Sequence, residues 1–157
     1  MTEGVKPGGT VLELGAGTGV FTKALLDRGV KAADIVLVER EERFVPTLRE
    51  MAPDAELLND DAFALAKEWA DGGQRFDVVV SGLPFLNFPK ERALELRNDL
   101  LRCLNPGGWI SQITYGPKSP IALAPVDGMN VSGHRTKLVW RNLPPAHIWR
   151  YSLGVAN

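Results

Sequence analysis

Apolar residues of this chain recur in short runs, each bounded by polar, glycine or proline positions. Short runs rich in Val, Ile and Leu are typical of strands buried on both faces. The strongest run contains three consecutive valines, Val78, Val79 and Val80. The pattern predicts five strands, at Thr10–Leu14, Ile35–Glu39, Ala55–Asn59, Phe76–Ser81 and Trp109–Thr114.

Helical spacing of apolar residues separates these strands and predicts helices at Val20–Arg28, Glu42–Met51, Phe63–Trp69 and Lys90–Leu104. Pro46 fits the second helix only in its first turn. In the fourth helix, Leu94, Leu101 and Leu104 are expected to share the buried face. Alternating strands and helices imply parallel pairing with right-handed crossovers. The predicted fold class is therefore an α/β sandwich with a mostly parallel sheet.

The pattern changes after Tyr115. Gly116–Gly133 is rich in Gly, Pro and Ser and is predicted to be a loop. Lys137–Asn142 and His147–Leu153 are predicted strands with no helix between them. These two strands are therefore expected to pair as an antiparallel hairpin at the C-terminal end.

Length and composition limit the class of protein. The chain has 157 residues, 45% hydrophobic and 24% charged, which predicts one globular domain over residues 1–157. The single cysteine, Cys103, excludes a disulfide framework and a cysteine-based zinc site within the chain, and we expect it to be an apolar filler. No metal site is predicted. The sequence shows neither a membrane-spanning stretch nor a signal peptide, so a cytoplasmic location is expected.

Charge is unevenly distributed along the chain, although its net value is only −1. Residues 100–157 carry six basic side chains and one acidic one, a local charge of +5. Basic residues mixed with aromatics suit an anionic membrane surface or a nucleic acid, and an ordinary solvated edge is the alternative. The residues expected at a membrane are Lys118, Arg135, Lys137, Arg141 and Arg150, with Trp140 and Trp149.

The sharpest motif is the glycine-rich segment Gly15–Gly19, which lies between the first predicted strand and the first helix. Glycines permit a tight turn and a close approach of ligand to backbone, and the helix start offers free N–H groups. Glu39 ends the second strand, where an acid can accept hydrogen bonds from both hydroxyls of a ribose. Glu13 precedes the glycines. A carboxylate there fits a positively charged ligand, or hydrogen bonds to the N–H groups of the glycine segment.

These segments resemble the motifs of the class I S-adenosylmethionine (SAM)-dependent methyltransferases. Glu13–Gly19 is similar to their first motif, Glu39 to the acid of the second strand, Asp61-Ala62 to the third motif, and Leu104–Gly108 to the segment before the fifth strand. The resemblance implies a Rossmann-like sandwich with SAM as cofactor, Asp61 at the adenine amino group and the Ala62 N–H beside it. The implied cofactor-binding residues are Glu13, Gly15, Ala16, Gly17, Gly19, Glu39, Arg40, Asp61, Ala62 and Ser81.

Within that superfamily the chain most resembles the bacterial phospholipid N-methyltransferases, which convert phosphatidylethanolamine stepwise toward phosphatidylcholine. Ser81–Leu86, Gln112–Pro117 and Trp140–Ala146 are similar to segments of that group. The resemblance implies a phospholipid amine as substrate and peripheral association with the inner membrane. The candidate catalytic residues, which position the amine, are Ser81, Gly82, Leu83, Pro84 and Tyr115.

Two departures from that family affect these expectations. Only Met1–Gly9 precede the first strand, where the family has a longer region with a helix that covers SAM, so the domain is expected to lack this lid. Ser81 stands where many amine methyltransferases have Asn or Asp. His134 and His147 are candidates to take the amine proton, with a loop or surface position as the alternative.

Other functions remain open at the level of sequence. Ser81–Leu86 is also similar to the base-holding segment of the rRNA adenine dimethyltransferases, so an RNA or small-molecule methyltransferase is the second hypothesis. A noncatalytic or truncated SAM-binding domain is the third. A nicotinamide oxidoreductase is disfavoured by Glu13 and by the Asp61 match.

Overall fold

A computed structural model describes residues 1–115, 118–139 and 146–154, with the side chains of residues 137–139 left undescribed. Its helices are α1 (Val20–Leu26), α2 (Val45–Met51), α3 (Ala62–Gly72) and α4 (Lys90–Arg102). Its strands are β1 (Val11–Leu14), β2 (Ile35–Val38), β3 (Glu56–Leu58), β4 (Phe76–Ser81), β5 (Leu104–Thr114), β6 (Val131–Val139) and β7 (Ala146–Leu153).

All seven strands form one sheet in the order β3-β2-β1-β4-β5-β7-β6. The strands β1 to β5 pair in parallel, whereas β7 pairs antiparallel with both β5 and β6. The predicted α/β class, the mostly parallel sheet and the C-terminal antiparallel hairpin are therefore confirmed. The chain reverses strand order beside β1, and ligands of open α/β sheets bind at the carboxyl ends of the strands next to such a point.

Two apolar clusters lie on opposite faces of the sheet, as the alternation of side chains along a strand requires. Leu12 and Val79 belong to the cluster that includes residues of α3 and α4. Val11 and Val80 belong to the cluster that includes residues of α1 and α2. Each fully buried Val, Leu or Ile contributes about 1.5–3 kcal/mol relative to an exposed one, so the burial of β1 and β4 on both faces fixes the centre of the sheet.

The largest boundary error concerns β6, which begins at Val131 rather than at Lys137. Gly133, assigned to a loop from sequence, pairs with Tyr151 inside this strand. A Cβ at Gly133 would come within 2.7 Å of the Tyr151 ring, so the glycine makes room for the aromatic side chain. The loop prediction failed because a glycine that is required by cross-strand packing has the same composition as a turn glycine.

Smaller corrections concern α4 and its neighbours. The helix ends at Arg102, and Leu104 opens β5 by pairing with Phe76. The expected burial of Leu94 is wrong, since its side chain is 40% exposed while Leu96, Leu100 and Leu101 are buried. The other strands and helices lie within a few residues of their predicted positions, and Pro46 does fall in the first turn of α2. Cys103 is buried, and burial raises the pKa of its thiol to about 11, as expected of an apolar filler.

Along the described ranges, the helices are all too short or too polar to cross a bilayer.

Candidate active site

The glycine loop, Gly15–Gly19, turns the chain sharply from β1 into α1. Gly15, Gly17 and Gly19 have φ angles of 70°, 54° and 78°, values that favour glycine over any residue with a Cβ. The Gly15 N–H donates to the Val38 carbonyl at 2.9 Å, which ties the loop to the end of β2. Ala16 is buried beside it. The backbone conformation of the glycine loop therefore depends on glycine at these three positions.

Glu39 holds this loop through its carboxylate, and it is buried at the carboxyl end of β2. Its Oε2 accepts a hydrogen bond from the Gly17 N–H at 2.7 Å, and its Oε1 accepts one from the Glu41 N–H at 2.7 Å. The sequence predicted a carboxylate directed at a ribose, but not these two backbone contacts. Because a carboxylate offers about four lone-pair sites, about two remain for ligand hydroxyls.

Glu13 lies in β1 with no exposed surface. Its Oε2 accepts a hydrogen bond from the Thr22 hydroxyl of α1 at 2.8 Å, while its Oε1 has no hydrogen-bond partner among the described residues. Burial raises the pKa of the Glu13 carboxyl to about 7, and the Thr22 hydrogen bonds oppose the shift. The sequence allowed Glu13 to hold the glycine loop, but it is Glu39 that accepts the Gly17 N–H.

A crevice of about 220 Å³ opens where the glycine loop, the end of β2 and the start of α3 meet. It brings together five of the predicted cofactor residues, Gly15, Glu39, Arg40, Asp61 and Ala62, with two of the predicted substrate residues, Leu83 and Pro84. The remaining cofactor candidates, Glu13, Ala16, Gly17, Gly19 and Ser81, lie outside its lining. The first group is placed to touch a ligand in the crevice.

Asp61 caps the N-terminus of α3. Its Oδ1 accepts hydrogen bonds from the Phe63 N–H at 2.8 Å and the Ala64 N–H at 3.2 Å, a use of aspartate that stabilises a helix start. Ala62 is the first residue of the helix, where backbone N–H groups have no partner within the helix. Asp61, whose carboxylate caps the helix, and Ala62, with its backbone N–H, thus place an acceptor and a donor next to each other in the residues that line the crevice.

The turn Ser81–Pro84, which we call the β4 turn, packs directly against the glycine loop. A Cβ at Gly82 would lie 3.1 Å from the Gly15 carbonyl oxygen, and a Cβ at Gly15 would lie 3.2 Å from the Leu83 Cδ2 atom. The Gly82 N–H donates to the Leu14 carbonyl at 2.9 Å. Because both loops use glycine at their contact, the predicted cofactor and substrate residues lie against each other.

Among the carbonyls of Gly82, Leu83 and Pro84, two accept hydrogen bonds from described residues and one does not. The Leu83 carbonyl accepts from the Gln112 side chain at 2.7 Å and from the Phe85 N–H at 3.0 Å, and the Pro84 carbonyl accepts from the Asn87 N–H at 2.8 Å. The Gly82 carbonyl accepts no hydrogen bond from any described residue. Ser81 is fully buried, and its Oγ accepts the Leu83 N–H at 3.3 Å.

Gln112 is a site residue that the sequence analysis did not single out. It lies in β5 beside Ser81, and it is fully buried. A signal was present, since an amide interrupts the apolar pattern of a strand that pairs with the buried β4. That signal did not identify its partner, because Leu83 lies 29 residues earlier in the chain.

Tyr115 directly follows β5 at the carboxyl edge of the sheet and is 60% exposed.

Other sequence candidates lie in the hairpin of β6 and β7. The Arg135 guanidinium lies 3.4 Å from the His147 Nδ1 atom. Trp149 stacks on Tyr151, with ring centroids 6.3 Å apart. His134 is exposed on β6.

Two members of the predicted membrane-facing set, Trp149 and Arg150, lie on opposite faces of the sheet, because they are consecutive in β7. The Arg150 guanidinium lies 3.8 Å above the Trp109 ring and donates to the Glu3 carbonyl. The Lys137 side chain and the residues Trp140 and Arg141 lie outside what the structure describes.

A parallel sheet with a glycine turn after β1 and acids after β2 and β3 defines a Rossmann-like nucleotide-cofactor fold. The methyltransferase domain family matches residues 11–108, a span that contains the glycine loop, Glu39, Asp61 and the β4 turn. The chain therefore belongs to the class I SAM-dependent methyltransferases, and SAM is the cofactor of that class.

Two curated relatives differ in what they methylate. The chain is 36% identical over 111 residues to an ornithine lipid N-methyltransferase of Singulisphaera acidiphila, a match covering 68% of this chain and 58% of the relative. It is 40% identical over 85 residues to ribosomal RNA small subunit methyltransferase A of Caulobacter vibrioides, covering 52% of this chain and 31% of the relative. The chain thus spans about a third to three fifths of these proteins.

Solved structures share the fold at low sequence identity. TrmN from Thermus thermophilus superposes with a TM-score of 0.66 at 19% identity, covering 96% of this chain and 45% of that one. The N-methyltransferase NodS from Bradyrhizobium japonicum, solved with S-adenosyl-L-homocysteine, superposes with a TM-score of 0.67 at 12% identity, covering 91% and 77%. Both confirm the fold alone.

Proposed function

We propose that this chain is the cofactor-binding domain of a SAM-dependent N-methyltransferase that acts on the amine headgroup of a membrane lipid. The observation that carries the lipid assignment is three exposed apolar side chains, Val20, Leu86 and Tyr115, which follow the carboxyl ends of strands that border the site and which we call the apolar rim. The likeness to an ornithine lipid N-methyltransferase over 68% of the chain supports the same substrate class.

The crevice suits a ligand that is part nucleoside. Gly15, Glu39, Asp61 and Ala62 place bare backbone, carboxylate oxygens and helix-start N–H groups around one space. These residues would hold SAM by its adenosine half, and the bound cofactor supplies an electrophilic methyl group. The crevice volume of about 220 Å³ is below the roughly 300–1,000 Å³ usual for whole ligands, which fits a site for part of the molecule.

The apolar rim follows three neighbouring strands. Val20, Leu86 and Tyr115 are 67%, 57% and 60% exposed and lie shortly after the carboxyl ends of β1, β4 and β5, which are adjacent in the sheet. Single exposed apolar residues are common, but three that all follow the carboxyl ends of adjacent strands beside a candidate site favour a surface for an apolar partner. A lipid headgroup would enter this edge with its acyl chains against the rim.

The β4 turn offers the amine an acceptor without a charge. The Gly82 carbonyl is the acceptor we assign to the amine N–H, since the Leu83 and Pro84 carbonyls are already bonded. Partial desolvation in a turn with no formal charge disfavours an ammonium ion and lowers the pKa of the amine, while the carbonyl acceptor opposes this shift. The amine would therefore lose its proton to solvent before reaction and present its lone pair to the methyl carbon at about 3–3.5 Å.

Basic residues supply a weaker, electrostatic contribution. Lys118 and Arg135 are exposed and remain candidates for contact with anionic headgroups, whereas Arg150 is occupied by Trp109 and Glu3. Each basic residue near an anionic surface is worth about 1 kcal/mol and is screened by salt. We therefore propose peripheral binding to an anionic membrane, led by the apolar rim and assisted by these charges.

Flotation with liposomes tests the rim. The double variant Leu86→Ser/Tyr115→Ser should lose most liposome binding and most transfer of labelled methyl groups to phosphatidylethanolamine or ornithine lipid, while its affinity for S-adenosyl-L-homocysteine stays within about twofold, since the rim side chains do not line the crevice. The matched control is Leu94→Ser/Leu123→Ser, which removes two other exposed leucines, 40% and 45% exposed. Equal flotation of both variants would contradict the proposed orientation.

An RNA methyltransferase is the second candidate, favoured by the 40% identity to the ribosomal RNA enzyme of Caulobacter vibrioides. Labelled methyl groups would then appear in RNA rather than in the lipid extract. Cofactor binding without transfer to either fraction would instead support the noncatalytic alternative.

A further inference from the structure

Gln112 occupies the position in β5 that faces the start of the β4 turn. The strand register aligns Leu14, Ser81, Gln112 and Trp149 across β1, β4, β5 and β7. Paired residues of neighbouring strands point to the same face of a sheet, so Ser81 and Gln112 are side-chain neighbours. Both are fully buried, which makes their hydrogen bonds obligatory rather than exchangeable with water.

The orientation of the Gln112 amide is fixed by its partners. Its Nε2 donates to the Leu83 carbonyl and to the Ile113 carbonyl, each at 2.7 Å. Because both partners are acceptors, only the NH2 group can face them. Its Oε1 is then left buried without a partner among the residues described. An apolar side chain of similar length would avoid that destabilising feature, so the amide is better explained by what it holds than by packing.

Two consecutive peptide planes of the β4 turn are each held by one buried side chain. Ser81 Oγ accepts the Leu83 N–H, which belongs to the peptide between Gly82 and Leu83. Gln112 binds the Leu83 carbonyl, which belongs to the next peptide. In a planar trans peptide the N–H and the C=O point in opposite directions. Holding the Leu83 N–H toward Ser81 therefore directs the Gly82 carbonyl away from Ser81, to a side where no described residue donates to it.

We propose that Gln112 is a positioning residue for the acceptor amine, acting through the β4 turn rather than by contact with the substrate. With Ser81 it sets the direction of the Gly82 carbonyl and prevents the turn from rotating when the amine binds. The inference rests on the proposed function, since the amine is the group that this carbonyl would bind. It adds that β5, as well as β4, determines how the acceptor is presented.

The test compares Gln112→Met with Ser111→Ala. Methionine keeps the length of the side chain and removes both hydrogen bonds, and Ser111 is the preceding buried residue of β5, whose side chain points to the opposite face. The three readouts are amide hydrogen exchange at Leu83 and Phe85, calorimetric affinity for S-adenosyl-L-homocysteine, and kcat and KM for the lipid amine. Gln112→Asn, with an amide on a shorter side chain, replaces Gln112→Met if that variant does not fold.

In Gln112→Met we expect exchange at Leu83 and Phe85 to rise about tenfold, kcat to fall about tenfold, and affinity for S-adenosyl-L-homocysteine to change less than twofold. Ser111→Ala should match the unmodified chain in all three. Unchanged exchange at the turn, an equal rise of exchange in β1 and β2, or an unchanged kcat would overturn the proposal. If the unmodified chain methylates no lipid amine, the proposed function fails, and the exchange readout still decides whether Gln112 holds the turn.

Discussion

The glycine loop follows β1 and the β4 turn follows β4, two neighbouring strands of the sheet. A buried side chain holds each of them, by accepting hydrogen bonds in the first case and by donating them in the second. The carboxylate of Glu39 accepts the N–H groups of Gly17 and Glu41, whereas the amide of Gln112 donates to the Leu83 carbonyl. The first connection is thus organised by a negative charge and the second by a neutral dipole. The difference matches the two ligands of the proposed N-methyl transfer, because SAM has hydroxyls to donate and the proposed acceptor amine must be uncharged to react.

The largest effect is expected from Gly17→Val in the glycine loop. Gly17 has a φ of 54°, and a β-branched residue there would be strained and would displace the N–H that Glu39 accepts. We expect calorimetry to detect no binding of S-adenosyl-L-homocysteine. A Cβ at Gly17 meets no atom closer than 3.9 Å, so the loss would come from backbone conformation rather than from a clash within the protein.

Gly73→Val is the matched control for that variant. Gly73 has a φ of 79° with nothing near its missing Cβ, and it follows α3. The control should lose about 1–2 kcal/mol of stability from the same strain and still bind the ligand. Equal loss of binding in both variants would mean that strain in general, and not the glycine loop, controls affinity.

Glu13 provides a test of buried charge beneath the glycine loop. Its folded-state pKa of about 7 lies above the ordinary 4.5, so the native state binds more protons than the unfolded chain between these values. The free energy of unfolding should therefore fall as pH rises from about 4.5 through 7, by an amount on the order of 3 kcal/mol. Denaturant titrations at several pH values measure this slope.

Two variants distinguish the contribution of the Glu13 carboxyl to the pH dependence from that of its hydrogen-bond partner Thr22. Glu13→Gln should remove this contribution to the slope, because a glutamine side chain does not titrate. Thr22→Val should retain it and extend it to higher pH, because the hydrogen bond that opposes the shift is removed. A Glu13→Gln protein with the original slope would assign the titration to another group.

A smaller effect is expected from Glu39→Ala, which leaves two N–H groups without their acceptor. Affinity for S-adenosyl-L-homocysteine should fall by about 1–3 kcal/mol, the usual cost of unpaired buried polar groups. Exchange should rise at Gly17 and stay unchanged at Leu83, because Glu39 and Gln112 act on different connections. Faster exchange at both Gly17 and Leu83 would show that the glycine loop and the β4 turn are held as one unit, and would contradict their independent support by Glu39 and Gln112.

Sequence alone predicted the parts of the fold that local pattern determines. The three consecutive valines predicted β4 as a buried strand, and the glycines after β1 predicted the turn at the carboxyl edge of the sheet. Gly133 was misassigned because its role depends on Tyr151, a residue of another strand. Leu94 was misassigned because helical spacing defines a broad face without showing which of its edges is covered.

For the candidate site, the sequence identified residues but not their partners. Glu39 and Asp61 both line the crevice, yet the backbone N–H groups that donate to their carboxylates are defined only by the folded structure. The separation of Trp149 from Arg150 was predictable, since consecutive strand residues alternate between faces. The Gln112 contact was not predictable, because it depends on the register of two strands and on the direction of a single peptide plane.

The contact between Gly82 and Gly15 limits how this enzyme scaffold can be redesigned. Any larger residue at Gly82 would push the Gly15 carbonyl, and therefore disturb the wall of the nucleoside crevice. Attempts to change the preferred acceptor should start from Leu86 and Tyr115, whose exposed side chains can be exchanged without touching that wall. The β4 turn and the crevice wall are therefore mechanically coupled, and the apolar rim is where side chains can be changed independently of them.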